Sequence, residues 1–344
     1  MRREIAQQGA AAAATIQHGL RQCEQLRRLG HGRRHVLFVA RGSSDNAAIY
    51  GRYLLEVCGG VQTALAAPSI ATHYRADVDL SDTVVVSVSQ SGETEEIVEA
   101  QAWARANGAA TVAITNVAGS PLDDAADLTL LTQAGVERAV PATKTYTSQL
   151  AAVAVLASAL SPQAGLENDL QRAVEEMDRL ASPGAGVRQA VDLLAGTNAV
   201  VVTGRGLVYG TALEVALKLE ETCLRPVRGL SYADLRHGPI AIVDSDVTAV
   251  LVAACEGPML AGMVELAGDL RQRGATTLAL GGGGELADAC DHSVPGPDLP
   301  ETVTPLALIV PGQLVVEALA GRLGLDADAP RGLSKVTQTD PERR

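Results

Sequence analysis

Aromatic residues are scarce in this chain: one Phe, one Trp and six Tyr make up 2% of its 344 residues. The core must therefore be built from Val, Leu, Ile and Ala, as parallel α/β sheets allow. Stacking platforms for bases are argued against. Positive charge is also in short supply. Lys and Arg total 28 against 40 Asp and Glu, a formal net charge of -12. The resulting field repels polyanions and opposes a nucleic-acid partner or an anionic membrane surface. A small phosphorylated ligand held by local donors stays open. The five cysteines, Cys23, Cys58, Cys223, Cys255 and Cys290, include no Cys-x-x-Cys pair and leave one over. A reduced, cytoplasmic chain is the expectation. No metal site is expected from the histidines. The apolar run Leu150 to Leu160 is too short to span a bilayer. Ala10 to Ala14, preceded by Glu4, does not make a signal-peptide core, so no membrane or export segment is expected.

What is present is alternation. The length predicts about two domains. A packing helix over residues 4 to 29 leads to a strand at Val36–Ala40, and further strands are expected at Thr63–Ala67, Thr83–Val88, Ala110–Ile114 and Leu128–Thr132. Helical stretches at Ala47–Val57 and Glu95–Ala106 separate them, the signature of a doubly wound parallel sheet. Ser89-Gln90-Ser91-Gly92-Glu93-Thr94 lies between the strand Thr83–Val88 and the helix that follows it. Open α/β sheets bind ligands at the carboxyl ends of strands, and free amides at a helix start favour a phosphate. Ser91 or Thr94 as a mere helix cap is the plainer alternative, and Glu93 counts against an anion. Arg41-Gly42-Ser43-Ser44 follows the first strand in the same way.

Helices at Thr143–Leu160 and Leu166–Leu180 precede a linker at Ser182-Pro183-Gly184-Ala185-Gly186, after which the pattern returns. A strand at Ala199–Thr203, the loop Gly204-Arg205-Gly206, a helix through Leu219 and a strand at Val247–Ala253 follow, and a last helix is expected at Gln313–Leu323. Arg41-Gly42 and Arg205-Gly206 are 164 positions apart, and so are Ser81-Asp82 and Ser245-Asp246. Equal offsets indicate an internal duplication. At that offset Ser43 and Ser44 face Leu207 and Val208, while Ser89, Gln90 and Ser91 face Ala253, Ala254 and Cys255. Caps would be needed equally in both copies, so this asymmetry favours a ligand in the first.

The second half carries its own chemistry. Glu214, Lys218 and Glu221 fall on one stripe of an otherwise apolar helix, readable as an intrahelical salt bridge or as partly buried functional charges. His237 sits in Leu235-Arg236-His237-Gly238-Pro239. Leu333-Ser334-Lys335-Val336-Thr337 follows the last helix.

Together these motifs, in this order and over nearly the whole chain, resemble the double sugar isomerase (SIS) domain family. They are most similar to the isomerase half of glutamine-fructose-6-phosphate aminotransferases and to SIS-type glucosamine-6-phosphate deaminases. The resemblance implies two tandem doubly wound SIS domains with parallel sheets flanked by helices. A helix at 1–34 precedes domains at 35–182 and 187–329, and a tail at 330–344 carries the catalytic lysine. It implies that Ser44, Ser89, Gln90, Ser91 and Thr94 hold a sugar phosphate with Ser43 nearby, and that Val140 and Ser334 offer backbone contacts. Glu221 matches the group that moves a proton between C1 and C2, His237 the ring-opening group, and Lys335 the amine that forms an imine with the ketose. Glu214 and Lys218 support them. No metal or organic cofactor is implied, and the partner is a second copy of the chain, in a homodimer with shared active sites.

Three departures stand out. Arg41 replaces the cysteine usual before the first glycine, and Ala142 stands where a hydroxyl residue often sits. Residue 2 is Arg2 rather than the cysteine of a glutaminase, so use of glutamine is not expected. The leading expectation is conversion of glucosamine 6-phosphate to fructose 6-phosphate and ammonia. The alternatives are a deglycase acting on fructosyl-amino-acid 6-phosphates and a phosphosugar sensor without catalysis.

Overall fold

The computed structural model describes residues 1–161, 165–197 and 199–339. Among the described residues, ten strands form two parallel sheets. The first contains β1 (His35–Val39), β2 (Gln62–Leu65), β3 (Thr83–Val88), β4 (Ala110–Thr115) and β5 (Leu128–Leu131), in the order β2-β1-β3-β4-β5. The second contains β6 (Ala199–Gly204), β7 (Val227–Ser231), β8 (Val247–Ala253), β9 (Thr276–Gly281) and β10 (His292–Val294). Its order, β10-β9-β8-β6-β7, is the same topology read from the other edge. Both are α/β sheets flanked by helices.

The duplication extends to pairing and hydrogen bonds. His35 pairs with Thr83 in the first sheet, and Ala199 with Val247 in the second, each 164 positions on. In the first copy the Asp127 carboxylate accepts from the amide and hydroxyl of Thr111, both at 2.9 Å. In the second, Asp291 accepts from the amide and hydroxyl of Thr277 at 2.9 and 2.8 Å. The same staple thus closes the same corner of each sheet.

The chain divides into two compact units. One holds Ala10–Glu137, Lys144–Leu166 and the tail from Ser334 on; the other holds Met1–Gly9, Arg138–Thr143 and Glu167–Leu333. In the first unit Val39, Val85, Ile97, Ala104 and Leu122 belong to one buried cluster, so the helix Glu95–Ala106 seals one face of its sheet. In the other unit Val201, Leu251, Leu266 and Leu270 play the same part with the helix Leu260–Gln272.

Several elements depart from expectation. The single helix at 4 to 29 is three short ones, Arg2–Ile5, Gln8–Leu20 and Cys23–Gly30. The first break lies close to the point where the chain passes from one unit to the other. The supposed linker at 182 to 186 already enters the helix Ala185–Ala195. The last helix runs over Thr304–Arg322 instead of starting at Gln313, with Pro311 inside it. An interior proline removes a backbone donor and costs about 3 kcal/mol, which is why the sequence reads as a start there. The flanking residues Leu306 to Leu314 are all buried, and that burial offsets the loss. By length and composition this helix could cross a membrane, but 83% of its apolar window is buried inside the unit.

Candidate functional site

The crevice between adjacent strands β1 and β3 is where the order of the first sheet reverses, the place where such sheets bind ligands. Both hydroxyl-rich loops emerge there. From β1 the chain passes Arg41 and Gly42 into the helix Ser43–Gly59. Ser44 is buried, and its hydroxyl accepts from the Gln149 amide at 3.0 Å. From β3 the chain turns through Ser89 to Thr94 into the helix Glu95–Ala106.

The loop after β3 is shaped by its own groups. Ser89 Oγ accepts from Gly92 N–H at 3.3 Å and Ser91 Oγ from Glu93 N–H at 3.2 Å. The Gln90 carbonyl is tied to Asn116 N–H at 3.1 Å. Gly92 has φ 66°, and a Cβ there would lie 2.2 Å from Ser120 Oγ, so only glycine fits. Thr94 occupies the N-cap position, yet its side chain makes no capping bond. Its hydroxyl is therefore not consumed by capping. The helix start presents backbone donors and the positive end of aligned dipoles, the arrangement that suits a phosphate.

The tail belongs to this same unit. Lys335 Nζ lies 2.6 Å from Glu137 Oε2, and the Glu137 side chain is fully buried. Glu137 also accepts from the Thr145 amide at 3.1 Å and the Thr145 hydroxyl at 2.6 Å. Burial alone would raise the Glu137 pKa. The Lys335 charge, with the bonds from Lys335 and Thr145, outweighs it and holds the carboxyl below its ordinary value. Ser334 Oγ donates to the Val336 carbonyl at 2.8 Å.

In the other unit the stripe on the helix Tyr209–Cys223 forms intrahelical ion pairs, and they are interior. Lys218 is 1% exposed and Glu214 0%, with Nζ 3.4 Å from Glu214 Oε1, and Lys218 also hydrogen-bonds Glu221, whose side chain is 24% exposed. Burial pushes the Lys218 pKa down, but the two carboxylates more than reverse this and its pKa is raised. Burial together with Glu221 raises that of Glu220. This is a fixed ammonium between two carboxylates, with one carboxylate reaching solvent. His237 ends the short helix Tyr232–Arg236 and is exposed. Val140 donates its N–H to the Asp328 carbonyl at 2.8 Å. Ala142 lies beside it in the segment Arg138–Thr143, which Glu4 fixes by accepting from the Arg138 and Ala139 amides.

The sequence matches the SIS domain twice, over residues 31–159 and 193–320. The chain belongs to the SIS domain family. It is 35% identical over 314 residues to a glutamine--fructose-6-phosphate aminotransferase [isomerizing] of Thermococcus kodakarensis, an alignment covering 87% of this chain and 51% of that protein. The chain thus spans about half the length of the curated relatives it matches. The C-terminal domain of glucosamine-fructose-6-phosphate aminotransferase from Francisella tularensis superposes with a TM-score of 0.79 at 26% identity, covering 95% of this chain and 96% of that one. Glucosamine-6-phosphate deaminase from Thermotoga maritima shares the fold, with a TM-score of 0.72 at 23% identity over 94% of this chain and 99% of its own.

In the second SIS repeat the counterpart loops, which lack the hydroxyls, meet an acidic side chain instead. Glu301 accepts from the Leu207 amide, and burial together with Glu256 raises its pKa. A Cβ on Gly257 would lie 2.5 Å from Glu301 Oε2, and one on Gly206 3.0 Å from Oε1. A carboxylate of the protein itself thus lies against both loops of the second repeat.

Four residues of the first SIS repeat and the tail escaped sequence reasoning: Glu137, Gln149, Glu96 and Gln338. Each acts through a partner far away in sequence, and no spacing announces it. One signal was available. The chain has only three lysines, Lys144, Lys218 and Lys335; Lys144 and Lys218 are buried and Lys335 is half-buried, so arginine carries most of the positive surface charge.

Proposed function

We propose that this SIS protein isomerises and deaminates amino-sugar phosphates, converting glucosamine 6-phosphate to fructose 6-phosphate and ammonia. The observation that carries the reading is that the tail bearing Lys335 and the hydroxyl loop Ser89–Thr94 belong to one compact unit. A phosphate cradle and an amine able to attack a carbonyl are thereby combined. The names of the aminotransferase relatives point to the same class of substrate.

In this reading Ser44, Ser89, Gln90, Ser91 and Thr94 bind the phosphate, with Ser43 beside them, and the backbones of Val140 and Ser334 contact the sugar. The Glu221 carboxylate takes the proton from C2 of the open-chain amino aldose and returns it to C1, leaving a ketose imine. Lys335 exchanges with the imine nitrogen and releases ammonia. Water then cleaves the lysine imine, restoring the amine and giving the C2 ketone, so the step needs no oxidant. Lys218, itself held by Glu214, orients Glu221 through their hydrogen bond. His237, exposed on its own unit, is assigned to ring opening on a neighbouring copy in a cytoplasmic homodimer. Mixing chains inactivated by His237→Ala with chains inactivated by Lys335→Ala is expected to restore activity; a strictly monomeric active species rules the shared site out.

The deciding assay presents the purified protein with glucosamine 6-phosphate and, separately, with fructosyl-amino-acid 6-phosphates, following ammonia and free amino acid. Ammonia from the first without glutamine is the expected result. Amino acid from the second alone makes the protein a deglycase. Tight binding with neither product makes it a sensor.

A further inference from the structure

The tail is fastened to the first unit at three points, and one of them is the loop that would hold the phosphate. Besides the Lys335–Glu137 pair, the Gln338 side-chain amide is engaged at both ends. Its Oε1 accepts from the Glu95 N–H at 3.1 Å, and its Nε2 donates to the Glu93 carbonyl at 3.2 Å. Glu93 and Glu95 flank Thr94, so Gln338 brackets the end of the loop. One residue on, Thr339 Oγ1 donates to Glu96 Oε2 at 2.9 Å. The same carboxylate takes Arg41, with Nε to Oε2 at 3.0 Å and Nη2 to Oε1 at 2.8 Å. Arg41 thus has a definite partner.

We infer that Gln338 is a positioning residue that sets the register of the tail on the Ser89–Thr94 loop and thereby the distance between the Lys335 amine and a bound phosphate. This deepens the reading of Lys335 as the imine-forming amine and rests on it. Three residues of extended chain span at most about 10 Å, so a grip at Gln338 confines Lys335 close to the helix start. A ketose 6-phosphate needs that confinement, because its C2 carbonyl is joined to the phosphate by a short carbon chain. A slip of one residue would move the lysine by about 3.5 Å, well beyond the tolerance of a reacting pair. Glutamine suits the place because it is neutral. It uses a helix-terminal amide without putting negative charge where a phosphate must sit. The Gln338 bonds are solvent-exposed, so water competes for them and the clasp can release to admit substrate.

The test uses the full chain with Gln338→Ala and Gln338→Glu and two independent readouts. The first is amide hydrogen exchange of residues 333–339. The second is borohydride trapping of fructose 6-phosphate on Lys335, which three lysines make easy to map, run beside calorimetry with glucitol 6-phosphate, a phosphate carrier without a carbonyl. Gln338→Ala is expected to speed exchange of the tail and cut trapping about tenfold, with kcat falling more than KM rises and glucitol 6-phosphate affinity kept within about twofold. Gln338→Glu keeps the accepting end but weakens glucitol 6-phosphate binding by like charge. Unchanged exchange and trapping in Gln338→Ala overturn the inference. So does an equal loss of trapping and glucitol 6-phosphate affinity, which makes Gln338 a phosphate ligand. Should the wild-type chain trap nothing, the imine reading falls by itself; faster tail exchange in Gln338→Ala then still upholds the register role, and unchanged exchange removes it.

Discussion

Lys218 Nζ lies 3.4 Å from Glu214 Oε1 on the next helical turn, inside a unit where neither side chain reaches solvent. The pair is a commitment in stability. Removing one partner of a buried ion pair costs about 3 to 5 kcal/mol, because the other charge is left uncompensated. Lys218→Met is expected to lower the unfolding free energy, read from urea denaturation, by that order. The raised Lys218 pKa gives the pH dependence its sign. Stabilisation by this group is fully present below its ordinary value of 10.5 and is lost as pH rises through the folded value. The gap between wild type and Lys218→Met, followed by urea unfolding across alkaline pH, should therefore narrow only above that range. A gap that narrows already near neutrality would mean that Lys218 is not held as the ammonium.

Ser89 and Ser91 each accept a backbone amide within their own loop, which leaves both hydroxyl protons to donate. Hydrogen bonds to a charged group contribute about 1.5 to 3 kcal/mol each. The double substitution Ser89→Ala with Ser91→Ala is expected to weaken binding of a sugar 6-phosphate by about a hundredfold or more. Calorimetry measures it, and circular dichroism checks that the fold is intact. Unchanged affinity would return these hydroxyls to shaping the loop.

How much of this was legible in the sequence depended on how local the signal was. Thr83–Val88, Glu95–Ala106, Leu166–Leu180 and Val247–Ala253 match their expected bounds residue for residue, since branching, helical period and length all agree there. The edge strand β7, Val227–Ser231, was missed; it carries Arg228 and Gly229 and is only half-buried, so it lacks the apolar pattern of an inner strand. The two copies were recognisable because a fixed offset survives in unrelated-looking residues. Electrostatic partners were not. Arg41 and Glu96 are 55 positions apart and Lys335 and Glu137 are 198 apart, and only the folded sheet brings them together.

The Glu137–Lys335 pair yields an acid-side prediction. Glu137 titrates below its ordinary value of 4.5, so its contribution is present above that value and disappears as pH falls through the folded value. Glu137→Gln is expected to flatten the acid limb of the stability curve and to release the tail at neutral pH, because Lys335 loses its anchor. Urea unfolding from pH 7 downward and tail hydrogen exchange measure the two effects. A variant whose acid limb matches wild type would show that the pair does not govern it.

Glu221 offers the sharpest test of the chemistry, because an adjacent carboxylate supplies the control. Glu221 is hydrogen-bonded to the buried Lys218 and keeps part of its side chain in solvent, while the neighbouring Glu220 is exposed. Glu221→Gln preserves shape and a hydrogen-bonding group but cannot carry a proton. Loss of a positioned acid–base group lowers turnover by about 10² to 10⁴. Ammonia release from glucosamine 6-phosphate should fall by that order, while calorimetric affinity for glucitol 6-phosphate holds. Glu220→Gln, one residue away, should leave turnover close to wild type. A deficit shared equally by both variants would point to a general effect of charge near Lys218, and a deficit confined to Glu220→Gln would move the proton transfer to Glu220.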